Sequence, residues 1–248
     1  MVELVETLGR VSGFDKLNHR WSTSCATISN KYSKPGYAWP MAIDFQAGLF
    51  SDSTIDVPPL AGRVSRVPLS RGAWVDLAPG WIAGADEVFP RLVESIPWHA
   101  ERREMYERTV DVPRLLCMYG VGDDLPDPVL VRARAELNRY YAAELGEEFV
   151  TAGCCYYRDG RDSVAWHGDR IGRSRTADTM VAIVSFGSPR HLSLRPAGGR
   201  LHGSYPLGHG DLIVMGGSCQ RTWEHAILKT ARAVGPRISV QFRPHGVF

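Results

Sequence analysis

Arg237-Ile238-Ser239-Val240-Gln241-Phe242-Arg243 is the stretch on which the reading of this 248-residue chain turns. Side chains of an extended strand alternate between faces. Arg237, Ser239, Gln241 and Arg243 therefore share one face, while Ile238, Val240 and Phe242 share the other. The apolar face suits a core. The polar face carries an arginine at each end, and planar guanidinium groups grip carboxylates through two parallel N–H bonds. That face fits a small anion bearing two carboxylates. A solvated outer strand would alternate in the same way, so residues upstream must decide.

Those residues lie in Ser163-Val164-Ala165-Trp166-His167-Gly168-Asp169 and in Thr222-Trp223-Glu224-His225. His167 and Asp169 are two apart and project from one side of an extended segment. Two imidazoles and a carboxylate make the set that holds Fe(II) while leaving positions open for a co-substrate and oxygen. No cysteine is placed to favour structural zinc. An isolated His-x-Asp also arises as a turn-capping Asp beside a half-buried His. The order is what selects the metal: His-x-Asp, a distant His, then an arginine-bearing strand. An open iron site beside arginines for a dicarboxylate is what a 2-oxoglutarate-using oxygenase requires.

Composition sets the frame around this constellation. Hydrophobic content of 44% and charged content of 23% are those of an ordinary globule with room for a sizeable core. A net charge of +2 permits a nucleic-acid partner without demanding one. No apolar run approaches the roughly 20 residues of a membrane helix, so no membrane partner is expected. Glu3 and Glu6 sit where a signal peptide would be basic and then apolar. Cys25, Cys117, Cys154, Cys155 and Cys219 form no C-x-x-C pair and read as reduced thiols. A cytoplasmic monomer is expected.

Residues 1–40 are polar and aperiodic, and Met41 could itself be a start. Pro58-Pro59, Gly62 and Pro68 punctuate the next stretch. The expectation is a poorly ordered N-terminal extension and linker over 1–70 and one folded domain over 71–248. Residues 73–77 alternate as a short strand. Val88, Phe89, Leu92, Val93 and Ile96 are spaced for a helix over 83–96, with Pro90 against it. Strands are expected around 98–106 and 115–119. Asp127-Pro128 opens a second helix, Leu130, Ala133, Leu137, Tyr140, Tyr141 and Leu145 mark its buried side, and Gly146 closes it. Short strands then follow at 149–157, 163–167, 180–186, 191–195, 211–215, 222–228 and 237–243. The fold class is mainly β (α+β), a sandwich or jelly roll with flanking helices.

At this point the chain resembles the AlkB family of Fe(II)- and 2-oxoglutarate-dependent dioxygenases, over about residues 74–248. The family's Asn-x-Tyr-x-x-Gly…His-x-Asp is matched by Cys155-Tyr156-Tyr157-Arg158-Asp159-Gly160…His167-Gly168-Asp169. Its closing Arg-x-Asn-x-Thr-x-Arg is matched by Arg237-x-Ser239-x-Gln241-x-Arg243. The resemblance implies a double-stranded β-helix, with Fe(2+), 2-oxoglutarate and O2 as cofactor and co-substrates. His167, Asp169 and His225 would be the catalytic metal ligands. Tyr157, Arg237, Ser239 and Arg243 would bind the co-substrate. Cys155 replaces an Asn that often binds co-substrate, Ser239 and Gln241 replace Asn and Thr, and Ile171 stands where better-known members carry a base-reading acid. These departures leave the co-substrate in place and put base preference in doubt.

The implied activity is oxidative demethylation of N-alkylated nucleobases (1-methyladenine, 3-methylcytosine) in DNA, as in alkylation repair, with release of formaldehyde, succinate and CO2. The alternatives are RNA or tRNA, a protein or a small molecule as substrate, or a jelly-roll binding module without catalysis. A methyl on a pairing edge is hidden in a duplex, so the base must be unstacked onto aromatic platforms. Tyr119, Tyr106 and Trp166 are candidates. Arg114, in Pro113-Arg114…Tyr119-Gly120, faces the substrate by the same resemblance. Arg158, Arg161, Arg170, Arg173 and Arg175 would form a positive rim for phosphates. Gln46-Ala47-Gly48-Leu49-Phe50 is similar to the Gln-x-x-Leu-Phe peptides that dock on a sliding clamp, so Gln46, Leu49 and Phe50 would make that contact.

Overall fold

The computed structural model describes residues 54–105, 108–170 and 172–247. Tyr106, Ile171 and the Gln46, Leu49, Phe50 peptide lie outside the described residues. The strands are β1 (Ser65–Pro68), β2 (Ala73–Ala78), β3 (His99–Met105), β4 (Arg108–Tyr119), β5 (Phe149–Tyr157), β6 (Val164–His167), β7 (Val181–Gly187), β8 (Arg190–Pro196), β9 (Gly203–Leu207), β10 (Leu212–Gly217), β11 (Trp223–Ile227) and β12 (Arg237–Pro244). The helices are α1 (Ala85–Ser95), α2 (Pro128–Leu145) and the single turn α3 (Cys219–Thr222).

Two antiparallel sheets result. The larger runs β1-β2-β10-β7-β12-β5-β4-β3 and the smaller β6-β11-β8-β9. The fold is a jelly roll with helices on the outer face of the larger sheet. β12 lies inside that sheet, paired to β5 and β7 in continuous register (Arg237 opposite Tyr157 and Gly187). Ile238, Val240 and Phe242 are fully buried with Val184, Phe186, Leu130, Leu137 and Tyr141 in the core beneath the helices. Burying such side chains contributes about 1.5–3 kcal/mol each. The other face of β12 looks into the space between the sheets, and that is where the site lies.

Both long helices form as their sequences direct. The Asp127 side chain accepts from the Val129 N–H at 2.9 Å, Pro128 takes the first helical position, and Gly146 closes α2 with φ +71°. Asp127 is also gripped by Arg91 of α1 at 2.8 Å, which ties the helices together. Pro90 is tolerated within α1, whose buried side is Ala85, Val88 and Leu92. Tyr140, expected on the buried side of α2, is 36% exposed; Tyr141 next to it takes the core position at 1%.

Residues 54–70, the described part of the expected extension and linker, are folded into the domain. Leu60 is fully buried, and β1 pairs with β2. Arg66 makes two bonds to buried Asp76 (2.7 and 2.8 Å), lies 3.6 Å over the Trp74 ring, and Tyr141 Oη donates to the same carboxylate at 2.9 Å. Local composition hid this, because the partners are an acid on β2 and a tyrosine on α2. Strand β9 leaves no mark in the sequence either: Gly203-Ser204-Tyr205-Pro206-Leu207 has too little alternation. Among the described residues no helix is long and apolar enough to cross a membrane.

Candidate metal centre and anion pocket

β6 and β11 are neighbours, and their register sets His167 opposite His225. The two rings lie 4.2 Å apart, centroid to centroid. Asp169 follows where the chain turns off β6, and the ligand atoms of all three residues lie within 4.8 Å of one another. Gly168 between them is required by packing: a Cβ there would stand 2.6 Å from the Gln220 carbonyl oxygen.

Two of the three ligands, His167 and Asp169, are oriented by further residues. His167 Nδ1 lies 2.9 Å from the Ala165 carbonyl oxygen, which can only accept, so Nδ1 carries the proton and Nε2 is left for a metal. Asp169 is held at three points: its N–H donates to Gln220 Oε1 (3.2 Å), its carbonyl accepts from Ser174 Oγ, and its Oδ2 accepts from Arg243 Nε (2.9 Å). Oδ1 remains on the histidine side, 3.6 Å from His167 Nε2. Burial opposes ionisation of Asp169, but Arg243, His225 and His167 overcome it and hold the carboxyl at about 2. Burial, then the neighbouring His167, pushes His225 down to about 3. At neutral pH the pair is an anionic carboxylate and a neutral imidazole, the forms that ligate metal. Nothing in the sequence marks Gln220, Ser174 or Ala165, since carbonyls and short helices carry no motif.

A cavity of about 70 Å³ opens between the sheets from this cluster. Its walls are apolar on the β7, β8 and β11 sides, through Val181, Ile183, Leu192 and Ile227. Arg237 lines it at 1% exposure, with Nε donating to Ser185 Oγ at 2.8 Å, and its buried Nη1 has no partner among the described residues. The Tyr157 ring lies 5.4 Å from that guanidinium, with Arg190 at 5.8 Å. Ser239 accepts from Gln241 Nε2, and Gln241 Oε1 meets the Cys155 thiol at 3.7 Å. The replaced positions thus satisfy one another.

The donor set passes the test for the implied groups. Three ligand atoms of the right types converge, and a guanidinium lining the same hollow keeps a buried N–H without a partner among the described residues, which a carboxylate would satisfy.

Of the expected substrate residues that are described, only Arg114 lines the cavity. Tyr119 packs against the core on the opposite face of β4, because an odd separation from Arg114 sends it to the other side. Parity along β4 points instead to Met118, 58% exposed and set beside Gly153 and Gln241. Trp166 does not line the cavity; it stacks on Arg195 at 4.3 Å, on the face of β6 away from His167. The basic rim is largely neutralised: Arg158 pairs with Asp162, Arg161 with Asp159 and Arg173 with Glu147, while Arg170 lies 3.8 Å from Glu224. Arg175 is exposed.

A two-histidine, one-carboxylate centre between the sheets of a jelly roll defines the class of 2-oxoglutarate- and iron-dependent oxygenases. The chain matches the 2OG-Fe(II) oxygenase superfamily over residues 122–243, a span that holds all three candidate ligands and both arginines of β12. It is 31% identical to the alpha-ketoglutarate-dependent dioxygenase alkB homolog 3 of Mus musculus over 205 residues, covering 73% of this chain and 66% of that protein. The Bos taurus protein of the same name is 30% identical over 197 residues (68% and 65%). The DNA oxidative demethylase ALKBH2 of Arabidopsis thaliana is 28% identical over 195 residues (62% and 60%). The chain belongs to the AlkB family of Fe(II)/2-oxoglutarate dioxygenases, and it spans just under two thirds of the length of the curated relatives named here.

Proposed function

We propose that the protein oxidatively demethylates N-alkylated nucleobases of the 1-methyladenine and 3-methylcytosine type in DNA, with formaldehyde, succinate and CO2 as products. The observation that carries this reading is the cavity lined by His167 and His225 of the His167, Asp169, His225 cluster and by Arg237, whose Nη1 has no partner among the described residues. The DNA oxidative demethylase name of one relative supports a nucleobase substrate.

His167, Asp169 and His225 hold the ion. Bound together, iron, 2-oxoglutarate and O2 supply the oxidising power that hydroxylates the alkyl carbon. Arg237, with Tyr157 beside it, takes the carboxylate of 2-oxoglutarate remote from the metal. Arg243 keeps Asp169 ionised and holds its Oδ2, which leaves Oδ1 on the histidine side where it would be free to ligate an ion. Val181, Ile183, Leu192 and Ile227 keep water out of the cavity. Met118 offers a soft apolar surface for an unstacked base.

The test is formaldehyde release from oligonucleotides carrying 1-methyladenine or 3-methylcytosine, run beside methylated tRNA and a protein panel, with His167→Ala as the control. Turnover of the DNA substrates that vanishes in the variant is expected. Release from tRNA or protein with none from either oligonucleotide would overturn the DNA assignment.

A further inference from the structure

The β4–β5–β12 register puts three cavity residues in one row across the larger sheet. Arg237 pairs with Tyr157, and Leu115 pairs with Tyr156, so Arg114 falls at the next position, opposite Tyr157 on its other side. A tyrosine ring is thereby flanked by two cavity-lining guanidinium groups. Arg114 Nη1 donates to the Ser163 carbonyl at 3.1 Å, and the Cys155 side chain is a second hydrogen-bond partner. The buried Nε of Arg114, like the Nη1 of Arg237, has no hydrogen-bond partner among the described residues.

The charge balance points the same way. Among the described residues the cavity is lined by three arginines, Arg114, Arg237 and Arg243, and by no carboxylate. Arg243 is balanced by Asp169. Glu101 on β3 acts on Arg114 only as the weakest of several neighbours, behind burial and the adjoining Cys155 and Tyr157. Arg190, the other guanidinium near Tyr157, is spent on the carbonyls of Asp159, Asp162 and Leu228. Two guanidinium groups that line the hollow thus each keep one buried N–H without a partner among the described residues, a costly arrangement unless a ligand supplies the anion.

We propose that Arg114 binds the co-substrate and not the nucleobase: with Arg237 it cradles the remote carboxylate of 2-oxoglutarate from two sides of Tyr157. This rests on the 2-oxoglutarate reading above and assigns a second cation to that subsite. Arg114 also joins the sheets, since Ser163 N–H donates to the Pro113 carbonyl beside it at 2.8 Å. Its substitution therefore needs a readout that a purely structural part would not move.

The experiment is calorimetric titration of the Mn(II)-loaded protein with 2-oxoglutarate and with 2-oxobutyrate, which has the same 2-oxo acid end and no second carboxylate. Wild type should prefer 2-oxoglutarate. Arg114→Met should weaken 2-oxoglutarate by about ten-fold or more, the loss of a charge-assisted bond, and leave 2-oxobutyrate unchanged. Arg114→Lys, which keeps the charge in a smaller group, should retain part of the preference and guards against a misfolded Met variant. Equal weakening of both ligands in both variants would make Arg114 structural only, and no change in either would leave it outside the subsite; each overturns the proposal. Failure of wild type itself to bind 2-oxoglutarate would instead sink the functional reading.

Discussion

Replacing Arg243 by methionine would leave the Asp169 carboxylate buried without its cation. The pair is tight and dry: Nε to Oδ2 is 2.9 Å, with side-chain exposures of 13% and 5%. Removing one member of a buried pair destabilises by about 3–5 kcal/mol, because the remaining charge stays desolvated. At about 2–4 °C per kcal/mol for a chain of this size, the metal-free protein should melt roughly 6–20 °C lower. A divalent ion can stand in for the lost guanidinium, so Mn(II) should raise the melting temperature more in Arg243→Met than in wild type. Asp169→Asn removes the stranded charge, and the double variant should lose less than the sum of the single losses. Differential scanning calorimetry on EDTA-treated protein, with and without Mn(II), measures all of this. A metal-free Arg243→Met protein melting within 2 °C of wild type would refute the charge argument.

Two further outcomes follow from the site. In the metal-free protein, His225 titrates near 3 when folded and near the usual 6.5 when unfolded, so between these values the unfolded chain binds the extra proton. Stability is therefore full above about pH 6.5 and falls by about 1.4 kcal/mol per pH unit below it, with Asp169 adding its own loss below about pH 4. Urea titrations at pH 7, 6 and 5 would show this, and His225→Phe should flatten the slope. At Gly153 a Cβ would lie 2.9 Å from Arg243 Nη1, 3.0 Å from Met118 Sδ and 3.1 Å from Gln241 Oε1, all ends of flexible side chains. Gly153→Ala should thus melt close to wild type while weakening Mn(II) and 2-oxoglutarate binding; unchanged titrations would show that Arg243 needs no such gap.

The sequence by itself determined whatever depends on local periodicity and on residue chemistry. The 237–243 alternation, the Asp127-Pro128 and Gly146 ends of α2 and the types of the three metal-ligand candidates were all legible in it, because caps and strand parity act within a few residues. Parity would also have separated Tyr119 from Arg114, and Met118 was there to be found.

Only the tertiary structure decided which long-range pairs exist. The β6–β11 register brings His167 to His225, the Asp76–Arg66–Tyr141 contacts draw 54–70 into the fold, and Trp166 turns to Arg195. Within the basic rim, Arg158 and Arg161 pair locally with Asp162 and Asp159, while Arg173 and Arg170 meet acids far away in the chain, Glu147 and Glu224. Such pairings arise from sheet order and shared burial, which bring together residues whose separation along the chain carries no signal.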